Sequence, residues 1–201
     1  MRLIETMRWD GHVIVRRDLH LARLGASAAA LGFRHDPLVV AQALAVVAGP
    51  EPRRLRLTLD RGGAVELTQA ALAPAADRWR IALASEALDA ADPRLRHKST
   101  DRAIHDRWRG ALPPGMDEIV FANREGRMAE GTISNLFFDL GQGLCTPPLA
   151  DGCLPGCLRA ELLASGACRE APLSRADLAR ARLWCGNSLR GLIAADFSGA
   201  A

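Results

Sequence analysis

Between Arg54 and Asp60 the sequence alternates without a break, Leu55, Leu57 and Leu59 facing one way and Arg54, Arg56 and Thr58 the other. A strand of this kind has one apolar face that must be covered, and the neighbouring chain supplies both a partner and a cover. The turn R-G-G and the segment A-V-E-L-T that follow predict a hairpin. Upstream, Leu21, Leu24, Ala28 and Leu31 fall at helical spacing, which predicts a helix capped by Asp18 and ended by Gly32. A second helix is predicted from Asp36-Pro37 to Gly49-Pro50, with nearly continuous apolar positions. Both read as cover for a sheet. Residues 3–8 and 12–15 read as short strands about the turn W-D-G-H, where glycine supplies a positive φ. The loop A-P-A-A-D leads into one more strand, W-R-I-A-L.

From Ser85 to His97 periodicity is lost, as in a linker. Beyond it come a helix to Gly110, the strand E-I-V-F-A-N, the turn R-E-G-R and the strand S-N-L-F-F-D. One helix follows Pro155-Gly156 to about Ser165, and another is predicted to be capped by Ser174 with Asp177 at its N3 position. The segment L-W-C-G-N-S-L-R-G-L-I reads as strand, polar turn, strand. The class is α+β, with a first subdomain over residues 1–86, a linker over 87–97 and a β-rich second subdomain over 98–201.

Composition narrows the function. Hydrophobic residues at 49% and charged residues at 24% exclude a disordered chain. The net charge of +3 comes from scattered arginines with only 4% aromatic residues, which argues against nucleic acid as partner. The five cysteines, 145, 153, 157, 168 and 185, form no C-x-x-C pair, and their odd count suits the reducing cytoplasm better than a disulfide framework. Cys153 and Cys157 are separated by Pro155 and Gly156 with no histidine nearby in sequence, so no metal is expected. The N-terminus M-R-L-I-E-T-M has no signal-peptide core, and no apolar run approaches the ~20 residues of a membrane span, so a soluble protein is expected.

Among 26 basic residues Lys98 is the only lysine, and it stands just past the linker. A desolvated amine at a domain interface has a lowered pKa and attacks carbonyls, although in an arginine-rich chain a solvated surface lysine reads as well. Glu130, in M-A-E-G-T-I-S-N-L-F-F, lies between a turn and an apolar strand. If buried it needs a cationic or protonated partner, of which a pyridinium nitrogen is one; if exposed it is a turn carboxylate. P-G-C-L-R opens a helix, so the backbone N–H groups of Cys157 and Leu158 are placed to meet an anion, helped by the helix dipole. Arg56, on the polar face of its strand, is a candidate carboxylate clamp, and Arg54 shares that face and could exchange roles with it.

R-H-K-S-T-D-R resembles the Schiff-base lysine motif, and E-G-T-I-S-N-L-F-F the strand-end motif, of the class IV (fold type IV) pyridoxal 5′-phosphate (PLP) enzymes. That family includes branched-chain and D-amino-acid aminotransferases and aminodeoxychorismate lyase. The resemblance continues through L-I-E-T-M-R-W-D-G, D-L-H-L-A-R-L, G-C-L-P-G-C-L-R-A-E-L-L and C-G-N-S-L-R-G-L-I, over essentially the whole chain. It implies two subdomains, an N-terminal α/β sandwich-like one and a C-terminal pseudo-barrel. It implies further that Lys98 forms the internal aldimine, that Glu130 pairs with the pyridine nitrogen and that Arg23 binds the cofactor phosphate. The helix start at Cys157 and Leu158 and the turn at Asn187 and Ser188 would complete a phosphate cup. R-L-T-L-D-R-G resembles the strand that supplies substrate-side arginines, here Arg56, and Thr6 resembles a residue that touches substrate.

Two departures bear on the reaction. Aminotransferases of this family usually carry a tyrosine five residues after the lysine, where this chain has Ala103 and where the whole sequence has no tyrosine. The lyase branch fits better. There the resemblance implies elimination of pyruvate to leave 4-aminobenzoate, a step of folate biosynthesis, with the freed lysine as general base and acid. The sequence also begins at the family's active-site strand, without the strands that normally precede it, so the fold is expected to be N-terminally shortened. A homodimer acting on a small amino substrate is expected. An aminotransferase for D- or branched-chain amino acids is the main rival. A non-catalytic PLP-fold partner subunit, beside an aminodeoxychorismate synthase, is a third reading.

Overall fold

The leucine alternation is realised as β2 (Arg53–Leu59), the middle of a three-stranded antiparallel sheet in the order β1 (Leu3–Trp9), β2, β3 (Val65–Ala71). The computed structural model describes residues 1–74 and 76–201. Leu55, Leu57 and Leu59 are buried with Leu3 and Met7 against Leu24 and Ala28 of α1 (Arg17–Leu31) and Val40 and Leu44 of α2 (Pro37–Ala45). The predicted cover is therefore the cover found.

Some details differ from expectation. Asp18 does not cap α1: the helix is entered through Arg16 in a left-handed conformation, φ 58°, and Asp18 lies within the first turn, where its charge suits the helix dipole. Gly32, φ 68°, ends the helix as predicted. Asp36 caps α2, its Oδ1 accepting the Leu38 N–H at 2.9 Å, but the helix stops at Ala45, short of Gly49-Pro50. The strand expected at 12–15 reduces to one bridge between Trp9 and Ile14, because Asp10 Oδ1 takes the N–H groups of both His12 and Val13. The edge of β1 is paired instead by residues 98–100. Ser99 stands opposite Leu3, the Ile4 N–H donates to the Lys98 carbonyl at 2.8 Å, and the Thr100 N–H donates to the Arg2 carbonyl at 2.9 Å.

These pairings put His97–Asp101 with Met1–Pro74 in one compact unit, and Ala75–Arg96 with Arg102–Ala201 in a second. The loop expected over 73–77 includes Ala75, which lies outside the described residues. The segment W-R-I-A-L, which the sequence groups with the first subdomain, is β4 (Arg78–Leu83) of the second unit, parallel to β5 (Glu118–Ala122) and β11 (Gly191–Ala200). The stretch 87–97 is no free linker either: Leu88 and Leu95 are buried, and Pro93–Arg96 forms a 3₁₀ turn. Alternation along single strands does not say which strands will be neighbours, and the boundary moves for that reason.

The second unit adds β6 (Met128–Gly131), β7 (Asn135–Asp139), β8 (Cys145–Thr146), β9 (Arg169–Glu170) and β10 (Arg182–Asn187). The order is β10-β11-β4-β5-β6-β7-β8-β9, and β10 also pairs with β7, which closes six strands into a barrel. One cluster draws side chains from all six, among them Ile81, Val120, Met128, Leu136, Cys185 and Ile193, so it fills the inside. Outside, Ile119, Phe121 and Ala129 pack with Ile104 and Trp108 of α3 (Ala103–Gly110). The helix after Pro155-Gly156 is α4 (Cys157–Ala164). The helix expected after Ser174 is a 3₁₀ segment, Arg175–Arg180, in which the Ser174 hydroxyl donates to Asp177 Oδ2 at 3.0 Å and caps no backbone N–H. The architecture is thus the expected α+β class with a barrel-like second unit. All five cysteines are buried and unpaired with one another, and no helix among the described residues is long and apolar enough to cross a membrane.

Leu136 has no exposed surface inside the barrel. Leu136→Ala is expected to lower unfolding free energy by about 3 kcal/mol in a urea titration. Leu38→Ala, on the exposed side of α2, should stay within about 0.5 kcal/mol of the parent.

Candidate functional site

In the first unit the strand pleat sorts the candidate residues onto two faces. Side chains of directly opposed residues in an antiparallel pair lie on the same face, and neighbours along a strand on opposite ones. Thr6 is directly opposite Arg56, so both project from one face together with Ile4 and Thr58. Ser99 opposes Leu3 on the helix-covered face, which puts Lys98 on the face of Thr6 and Arg56. Three of the candidates are thereby collected. Next to Lys98, His97 turns to the helix side and meets the Ser27 hydroxyl of α1 through Nδ1 at 3.0 Å.

Arg23 is on the helix side. Its guanidinium donates to Glu5 through Nε at 3.0 Å and Nη2 at 2.5 Å, and His20 Nδ1 donates to the same carboxylate at 2.6 Å. An ionised carboxylate only accepts, so the His20 proton is on Nδ1. Burial works to raise the Glu5 carboxyl, but the Arg23 charge and the hydrogen bonds from His20 and Arg23 outweigh it and hold it below its ordinary value. Arg23, expected as a phosphate ligand, is held in place by this buried carboxylate.

In the second unit Glu130 is the penultimate residue of β6, buried, with both oxygens engaged. Oε1 accepts from His105 Nε2 of α3 at 2.9 Å and Oε2 accepts the Leu154 N–H at 2.8 Å. The turn that follows is organised by Glu118. This fully buried carboxylate accepts from the Ile119, Thr132 and Ile133 N–H groups and from the Thr132 and Ser134 hydroxyls. Gly131 is needed there, because a Cβ at that position would come within 2.6 Å of Ser134 Oγ and 2.9 Å of the Glu118 carboxylate.

Asn135 opposes Glu130 across the turn and Gly186 across the next ladder. Its Nδ2 donates to the Leu154 carbonyl at 2.9 Å, and a Cβ on Gly156 would meet its Oδ1 at 1.9 Å. The start of α4 is consequently drawn against Asn135, with Cys157 and Leu158 buried as its first two residues and no side-chain cap among the described residues. Asn187, one residue past Gly186, donates to the Ile133 carbonyl at 3.2 Å and accepts the Leu189 and Arg190 N–H groups, so its side chain shapes the turn that carries buried Ser188. Glu130, the α4 start and the 187–188 turn are brought together in this way. Burial, followed by the Glu130 charge, pushes the Cys153 thiol up to about 12, so it stays protonated and is no nucleophile at neutral pH.

Sequence reading passes over Glu118, Glu5, His20 and His105. A signal exists for Glu118, since a carboxylate beginning the apolar run E-I-V-F-A must be buried with donors or lie outside the strand. Nothing in the spacing of His105 or His20 reveals the carboxylates they serve.

A family model described as amino-transferase class IV matches residues 2–196. Among solved structures, a provisionally described amino-acid aminotransferase from Mesorhizobium loti is 43% identical, with a TM-score of 0.90 over 98% of this chain and 99% of that one. A provisionally described 4-amino-4-deoxychorismate lyase from Legionella pneumophila is 23% identical, with a TM-score of 0.81 over 98% and 82%. A branched-chain aminotransferase from Thermoproteus uzoniensis, solved with norvaline, is 22% identical, with a TM-score of 0.82 over 98% and 78%. No curated protein matches.

Glu5→Gln is expected to cost about 3 kcal/mol at pH 7, since it leaves Arg23 and His20 facing a neutral amide. Because the folded pKa of Glu5 is depressed, its stabilisation is complete above the unfolded value near 4.5 and is lost as pH falls through the folded value. Denaturation curves of parent and variant should therefore converge as the medium is acidified below about pH 4.

Proposed function

The chain belongs to the class IV aminotransferases, a PLP-dependent family, and on that premise we propose that it is a lyase of the aminodeoxychorismate type, releasing pyruvate and leaving 4-aminobenzoate. The observation that carries this choice is Ala103, the first residue of α3, five residues after Lys98 where the family's aminotransferases usually have a tyrosine. A small apolar side chain there offers no hydroxyl to the cofactor.

The residues fit the cofactor. Each Glu130 oxygen accepts one hydrogen bond, which leaves lone pairs for a protonated ring nitrogen, and His105 and the Leu154 N–H hold the carboxylate in place. The α4 start, with Gly156 as its N-cap, would turn the backbone N–H groups of Cys157 and Leu158 and the helix dipole toward the phosphate beside Asn187 and Ser188. Arg23 would add a guanidinium, steered by Glu5. When bound, PLP supplies an electron sink for charge developing on the substrate carbon. Lys98 would hold the cofactor through its amine; released by the substrate amine, it would take the proton from the ring carbon and return it to the methylene carbon of the enolpyruvyl group, which leaves as pyruvate when the ring C–O bond breaks and the ring aromatises. Arg56 holds a substrate carboxylate and Thr6, directly across the ladder, offers a hydroxyl beside it. A homodimer is the expected assembly.

Transamination is the second reading, favoured by the 43% identity to the Mesorhizobium loti protein. The two separate on one sample. Purified protein with PLP should show a visible band that borohydride fixes to Lys98 and that is absent in Lys98→Ala. A transaminase bleaches the band when given an amino acid alone; the lyase keeps it and releases pyruvate from aminodeoxychorismate. A protein that stays colourless overturns both.

A further inference from the structure

We infer that His97 is a positioning residue for Lys98: its hydrogen bond to Ser27 ties the lysine to α1, the helix that also carries Arg23. That Lys98 and Arg23 hold PLP rests on the reading above; the latch itself rests on the geometry of the first unit. His97 Nδ1 and the Ser27 hydroxyl stand 3.0 Å apart. Ser27 is buried and His97 half-buried, so the bond is shielded from the water that would compete for it. A buried hydroxyl without a partner is costly, and the imidazole nitrogen removes that cost.

The strand pleat makes the latch bear on Lys98. Successive residues of an extended segment point to opposite sides, so with His97 and Ser99 on the helix-covered side of the sheet, Lys98 faces away from the helices. Turning the imidazole out would turn the lysine in. The backbone bonds that fasten this segment to β1 run from the Lys98 carbonyl, which accepts the Ile4 N–H, to the Thr100 N–H, which donates to the Arg2 carbonyl. Past Lys98 the Arg2 N–H also reaches the Thr100 hydroxyl at 2.9 Å. His97 extends the hold to the other side of Lys98, through its side chain.

α1 then sets a distance. Arg23 and Ser27 are four residues apart in this helix, on the same face and about 6 Å apart along its axis. Arg23 is locked to Glu5 of β1 and Ser27 to His97, so two cross-links one turn apart join one helix to one sheet. A single element thereby positions a guanidinium for the phosphate end of the cofactor and an amine for its aldehyde carbon. A cofactor gripped at both ends needs those groups at a fixed separation, and a stiff helix supplies it better than two loops. The bond asks for no particular charge on His97, because a hydroxyl both donates and accepts.

Lys98 is the only lysine, so protein carrying 15N-lysine gives one lysine amide resonance, which reads the position of Lys98 before any cofactor is added. Ser27→Ala, a change that suits a helix, and His97→Ala are each expected to shift that resonance and to speed exchange of its proton with solvent about tenfold. The double variant should do no more than either single one, since all three remove the same bond. His97→Asn, whose side-chain amide stands near the place of Nδ1, should restore the parent behaviour. PLP titration followed by the visible band should show about tenfold weaker binding in the alanine variants and recovery in the asparagine one. An unmoved Lys98 resonance, a PLP affinity equal to the parent's in a protein that binds it, effects that add in the double variant, or an asparagine variant no better than alanine overturns the inference. Urea denaturation separates mere packing: lost stability with an unmoved Lys98 resonance also overturns it. The borohydride experiment reads the parent proposal separately. A latched Lys98 in a protein that never fixes PLP sinks the enzyme and leaves the latch; a fixed band with an unmoved resonance does the reverse.

Discussion

The carboxylate of Glu118 is taken wholly out of water inside the second unit, and five donors meet it: three backbone N–H groups and two hydroxyls. Desolvating a carboxylate costs several kcal/mol even after relaxation, and this dense set of hydrogen bonds, with the Arg109 guanidinium 3.7 Å away, offsets it. Four of the five donors belong to residues 132–134, so the same interaction that makes the charge tolerable also fastens the turn between β6 and β7. Glu130 and Asn135 are the ends of that turn. Through them Glu118 governs where the candidate cofactor carboxylate stands and, by the Asn135 contacts with Leu154 and Gly156, where α4 begins.

The first unit solves a related problem with the buried carboxylate of Glu5. Glu5 lies on the face of β1 that packs against helices, among leucines, and is matched there by Arg23 and His20 of α1. The pair ties helix to sheet and holds a guanidinium that would otherwise be mobile. On the opposite face of the same sheet, Lys98 is brought beside Thr6 and Arg56 because residues 98–100 pair with the edge of β1.

Local pattern carried much of this. The leucine alternation in β2, the glycine turns, the apolar period of α1 and the Asp36-Pro37 start of α2 were legible because each depends on residues a few positions apart. So were the candidates Lys98, Glu130, Arg56 and the α4 start, whose residue types and motif order stand in the chain itself. The placement of β4 was not, since a half-buried strand has the same period whichever sheet it joins.

Residue order alone therefore settled most of the longer elements, the α+β class and the family's motifs, because propensity and periodicity are local. Only the folded chain decided the rest: that β7 finds β10 and closes the barrel, that His105 serves Glu130 and Arg23 serves Glu5, and that Lys98 shares a face with Thr6 and Arg56. Those are contacts between residues far apart in sequence, fixed by burial and by the requirement that every charge removed from water find a partner, and no window along the chain contains both members.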